Sequence, residues 1–165
     1  DYIARTSDSL QQTGANIQTN GALPPGYVEV SDMQFASNRV TDGVLFEQAK
    51  QCYFSGVNVA GPLTTADLTS AGDDTSAVRF SSTVANPVNQ ISWTGGVFSG
   101  FTYGLNTDQT TYGITFSNNF FDTLYQGVLL DTDPTGVQFM NNQFDNIYIQ
   151  GIELDRKSTR LNSSH

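Results

Sequence analysis

The chain has 165 residues, 16 acidic against 7 basic, and a formal net charge of −9. That balance argues against a nucleic-acid partner, because phosphate binding is driven by Lys and Arg. No apolar run approaches the length of a membrane span. In chain order, the sequence opens at Asp1 without a methionine, as expected of a cut or processed start. Residues 1–26, with "QQTGANIQTNGALPP", predict an irregular entry segment. From Tyr27 to Leu154 the chain predicts short strands and tight turns. "YVEVSDMQF" begins at Tyr27 and "QCYFSGVNV" at Gln51; "GPLTTADLTSAGDDT", residues 61–75, predicts an inserted loop. Cys52, the single cysteine, sits among apolar neighbours and predicts an ordinary buried thiol.

Three stretches then align, starting at Ile91, Ile114 and Val137, with starts 23 residues apart. Trp93, Phe116 and Phe139 fall in one column of this alignment. Phe98, Phe121 and Phe144 form a second, and Phe101, Leu124 and Ile147 a third. A small-residue step recurs at Gly43, Ala77, Gly104, Gly127 and Gly151. Segments such as Ile114-Thr-Phe116 alternate apolar with polar, the signature of a strand with one buried face. No window carries a helical period long enough for a stable helix. One corner reads Gly95-Gly96, Asn118-Asn119 and Asn141-Asn142. Gly and Asn best tolerate the left-handed backbone, so their exchange at one place predicts a turn with positive φ. A period near 23 with such corners predicts a solenoid, in which each coil lays its strands on those of the coil before, about 4.8 Å away. A single coil cannot bury its apolar side alone; a stack can.

The stretch from Tyr27 to Leu154 resembles the right-handed parallel β-helix of the pectate lyase-like superfamily. It is similar in style to the β-helical shafts of bacteriophage tailspikes and tail fibres. The implied fold class is all-β, a right-handed parallel β-helix with coils of about 23 residues, present here as a fragment. Asp155 to His165 ("DRKSTRLNSSH") differs in composition and resembles a DNA-sequencing adapter translated in one frame. Residues 155–165 are therefore set apart as an adapter-derived tail. Without their three basic residues and Asp155, the 7 and 16 of the whole chain become four and fifteen, a net charge of about −11, with no histidine.

Several outward residues are candidates for chemistry. In register, one outward column is Leu45, Arg79, Asn106, Leu129 and Glu153, and the next is Glu47, Ser81, Asp108 and Asp131. Enzymes of the resembled superfamily often work in a groove on an outer sheet face. Asp108 and Asp131, one coil apart, with Glu153 and Asp133 nearby, are accordingly the candidate catalytic carboxylates for glycoside hydrolysis or lyase chemistry. Asp at strand ends beside Thr and Pro also makes turns, and that reading is the stronger. The segment lacks the histidine of polygalacturonase-like members and any Lys/Arg cluster for uronates, which departs from acidic-pectin cleavage. Asp122 and Asp145 stack in another column. They are either solvated turn carboxylates, the favoured reading with no cofactor, or ligands for Ca²⁺. Tyr125 and Tyr148 share a column, with Tyr103 near them in the preceding coil. Outward rings suit either the face of a sugar or partial burial against a neighbouring subunit.

Two classes of function follow. The first is a non-catalytic structural or adhesion module of a phage tail fibre or tailspike. It would be extracellular or on the virion surface, a homotrimer in the full-length protein, and would present Tyr103, Tyr125 and Tyr148 to a polysaccharide or cell-surface glycan. The alternative is a polysaccharide-degrading β-helix enzyme using Asp108, Asp131 and Glu153.

Overall fold

A computed structural model describes residues 10–11, 17–19, 28–36, 42–46, 49–69, 74–81, 88–107, 111–130 and 135–154. Among them are fifteen strands, one 3₁₀ turn and no α-helix. A short antiparallel pair, β1 (Leu10–Gln11) and β2 (Ile17–Thr19), comes first. The first coil then runs through β3 (Val28–Ser31), β4 (Gln34–Ala36) and β5 (Val44–Phe46). The second has β6 (Lys50–Ser55), β7 (Asn58–Ala60) and β8 (Ser76–Phe80). In the next two coils the second and third strands fuse: β9 (Val88–Thr94) with β10 (Val97–Thr107), and β11 (Thr111–Ser117) with β12 (Phe120–Leu130). The last described coil has β13 (Gln138–Met140), β14 (Gln143–Ile147) and β15 (Ile152–Leu154).

Every pairing between coils is parallel, and the strands sort into three faces. One is β3–β6–β9–β11–β13. The second joins β4, β7, the first halves of β10 and β12, and β14. The third joins β2, β5, β8, the second halves of β10 and β12, and β15. This is the predicted all-β solenoid of parallel stacked coils.

The columns read from the sequence are the register pairs of the structure. Phe54, Trp93, Phe116 and Phe139 stack in one row, the Phe54 and Trp93 centroids 4.2 Å apart and 10° from parallel. Phe98, Phe121 and Phe144 follow at 4.9 and 4.8 Å. Each such ring pair adds about 0.5–1.5 kcal/mol beyond the area it buries. The small-residue step exists because coils approach closely there. A Cβ on Gly104 would stand 2.6 Å from Phe121 Cδ1 and 2.5 Å from the Gly127 carbonyl oxygen.

The Gly/Asn corner has the predicted positive φ at its first position: 66° at Gly95, 55° at Asn118 and 54° at Asn141. The second position does different work. Asn119, 2% exposed, donates through Nδ2 to the Trp93 carbonyl (3.0 Å), and its Oδ1 accepts from Gly96 N (2.8 Å). Asn142 repeats this one coil on, toward the Phe116 carbonyl (2.9 Å) and Asn119 N (2.9 Å). Gly stands at 96 because a Cβ there would lie 2.6 Å from the Trp93 indole nitrogen, which itself donates to the Val57 carbonyl. Two further left-handed columns recur in register: Gln51, Gln90, Gly113 and Gly136, and then Gly100, Thr123 and Asn146.

Candidate functional site

Among the described residues the outer surface carries two built clusters, on different faces. The first lies on the third face and centres on Arg79 of β8. Its Nε sits 2.9 Å from Asp42 Oδ2, an ion pair rather than an aligned hydrogen bond. Its Nη2 donates to Asp74 Oδ1 (3.0 Å) and to the Asp74 carbonyl (2.6 Å). Asp42 also accepts from Ser76 N through Oδ1 (2.8 Å). Burial raises the Asp42 carboxyl above its ordinary 3.8, outweighing the guanidinium and the Ser76 hydrogen bond, which pull it down. Two coils along, Gln126 Nε2 donates to Glu153 Oε2 (2.8 Å). The Arg79 and Gln126 donors are each engaged by carboxylates, while Ser76 Oγ is buried without a partner among the described residues.

Tyr103 belongs with this cluster. Its register partner is Gln126, one column away from Tyr125. Its phenol is raised above its ordinary range, first by burial and then by Asp74, with Arg79 opposing. Glu153 takes its place in the predicted column beside Leu129, with Leu129 beside Asn106 and Asn106 beside Arg79. Asn106 nevertheless is 3% exposed, and its Oδ1 has no partner among the described residues. Asp108, Asp131 and Asp133 lie outside the described residues.

The second cluster is built around Tyr125 of β12 and Tyr148, which follows β14. Backbone bonds from Tyr148 N to Leu124 O and from Ile149 N to Tyr125 O hold the two coils in step. The rings stack at 5.5 Å and 22°, and Tyr148 is 57% exposed. The inserted loop comes to meet them. It leaves β7 along β10, with Gly61 N donating to Ser99 O and Leu63 N to Gly100 O. Thr64 donates through N (2.8 Å) and Oγ1 (2.7 Å) to Asp67 Oδ2, setting up the 3₁₀ turn Asp67–Thr69. Those bonds hold the Asp67 carboxyl below its ordinary value. The turn packs on β12 and buries Leu68 to 2% exposure. A cleft of about 280 Å³ remains between Thr65 and Leu68 of the loop and Asn146, Ile147 and Tyr148 of the last coil.

Backbone strain lies beside this cleft. Thr123 has φ 52° and pairs in register between Gly100 and Asn146. A β-branched residue in the left-handed region is a steric outlier. Its neighbour Asp122 accepts from Asn146 Nδ2 (2.8 Å), and Asp145 Oδ1 accepts from Asn146 N (3.0 Å). The two aspartates are register partners, as the sequence predicted. Among the described residues no group of three or more His, Cys, Asp or Glu is placed to hold a metal ion.

The coils, the three parallel faces and the corner asparagines lead to one assignment. The model of the family described as "Right handed beta helix region" matches residues 13–165. The chain belongs to the right-handed β-helix family. No curated protein and no solved structure matches it. Of the three tyrosines singled out from the sequence, Tyr148 lines the cleft, Tyr125 stacks behind it and Tyr103 lies with the Arg79 cluster; Thr65, Leu68 and Asn146 were not among the candidates. The signal for the loop residues was the surplus length of residues 61–75. Its path over two coils has no local signature.

Proposed function

We propose that this β-helix is a non-catalytic structural and adhesion module that binds glycans. It would serve as part of a phage tail fibre or tailspike at the virion surface, trimeric in the full-length protein. The observation that carries the glycan reading is the exposed Tyr148 ring, backed by Tyr125 and set in a cleft with Thr65 and Asn146. A flat apolar ring with hydrogen-bonding groups at its margin suits the two chemistries of a sugar, its C–H face and its hydroxyls. The strained Thr123 next to it also supports a functional use, since such strain gathers at ligand sites. Tyr125 stands on β12, and backbone bonds from Tyr148 and Ile149 to that strand hold the outer ring in place, which favours binding over rearrangement.

The test is binding and cleavage measured together. The chain is incubated with a panel of bacterial surface polysaccharides, and both retention and new reducing ends are read. Retention without new ends, lost in Tyr148→Ala, is the expected result. Cleavage abolished by Asp131→Asn would replace this reading with the polysaccharide-degrading one. Absence of retention on every polysaccharide would overturn the glycan reading.

A further inference from the structure

We infer that the Tyr148 cleft selects glycans that carry no carboxylate, sulfate or phosphate. This rests on the glycan-binding reading above and adds the substrate class. Both walls of the cleft are flanked by carboxylates. On the loop side Asp67 adjoins Leu68. On the coil side Asp122 and Asp145 are both bonded to Asn146, itself a lining residue. Each of these carboxylates keeps acceptor capacity for a sugar hydroxyl, and such charge-assisted bonds are stronger than neutral ones.

Among the described residues no compensating cation is near. The cations among the described residues are Lys50 and Arg79. Lys50 starts β6, on the first face, away from this cleft. Arg79 is held by Asp42 and Asp74 on the third face. An anionic sugar entering the cleft would meet like charge with no guanidinium or ammonium among the described residues to offset it, and that repulsion discriminates against it. A neutral sugar loses nothing to this field. It stacks on Tyr148 and donates hydroxyls to the carboxylates. The cleft volume is close to the lower end of small-ligand sites, roughly 300–1,000 Å³, so it holds a short piece of a chain.

The experiment uses the whole chain and a panel of neutral oligosaccharides matched in length with uronate-, sulfate- and phosphate-bearing ones, at low and high salt. Wild type should retain neutral members at both salt concentrations, and Tyr148→Ala should weaken that retention at least tenfold with its urea midpoint unchanged. Asp145→Lys should gain at least tenfold on anionic members at low salt, an effect that high salt screens. If wild type retains only anionic members and Tyr148→Ala loses them, the cleft binds glycans but the selectivity inferred here is wrong. If retention is indifferent to Tyr148→Ala, the glycan-binding reading itself fails, and this inference with it.

Discussion

The two outer clusters use the same scaffold in opposite ways. Around Arg79, charged groups are matched to one another: Asp42 and Asp74 take the guanidinium, and Gln126 takes Glu153. Around Tyr148, the ring is left open to solvent while Thr65 and Leu68 of the loop and Asn146 and Ile147 of the last coil wall the cleft about it. A cluster whose cation is already taken by its own carboxylates has less to offer a ligand. One that spends backbone strain and a buried Leu68 to hold an exposed ring in place has the character of a binding surface. The difference separates polar groups that stabilise the coil from those that await something outside it.

Four substitutions probe that contrast, in decreasing order of expected effect. Asn119 is buried at a corner of the stack, in neither cluster. Asn119→Ala leaves the Gly96 N–H and the Trp93 carbonyl buried without their side-chain partner, and should cost about 3 kcal/mol in urea unfolding. Arg79→Ala acts on one face only. It strands Asp42 in a partly buried site and should cost about 2 kcal/mol, less than a fully buried pair because water still reaches both partners. Glycan retention should be unaffected. Thr123→Gly relieves the left-handed strain and should gain about 1 kcal/mol. If the strain shapes the cleft, the same variant should bind glycan more weakly, the usual exchange of stability for function.

The smallest effect is a pH dependence. The folded-state carboxyl of Asp42 titrates above its ordinary 3.8. Its contribution to stability is therefore full below 3.8 and lost as pH rises through the folded value. Urea midpoints of wild type and Asp42→Asn, compared across that acid window, should show the wild type losing ground to the variant as pH rises. A gap that widens in the wild type's favour would mean Arg79 dominates over burial. Cys52 gives a parallel check far from both clusters. Burial pushes its thiol up to about 12, so native protein at pH 9.0 should resist thiol reagents that label it at once in urea.

Much of the stack was legible because a parallel coil repeats its chemistry at a fixed interval. Trp93 above Phe116 and Phe139, and Gly104 above Gly127, follow from counting 23 residues. The same count places Thr102, not Tyr103, beside Tyr125, and the register agrees. The corner at Gln51, Gln90, Gly113 and Gly136 was not legible, since Gln carries no preference for positive φ that would mark it. Nor was the partnership of Asp42 with Arg79, which depends on side chains meeting across coils 37 positions apart in the chain. The cleft was hidden for a similar reason. Leu68 is one apolar residue in a polar loop, and only the tertiary path brings it to β12.

On this reading the open cluster binds glycan and the closed one does not. Titrating one retained neutral oligosaccharide against wild type, Tyr148→Ala and Arg79→Ala at equal folded fraction tests it directly. Tyr148→Ala should lose at least tenfold in affinity, about 1.4 kcal/mol or more, and Arg79→Ala nothing. Equal affinities for wild type and Tyr148→Ala, or a loss confined to Arg79→Ala, would contradict it.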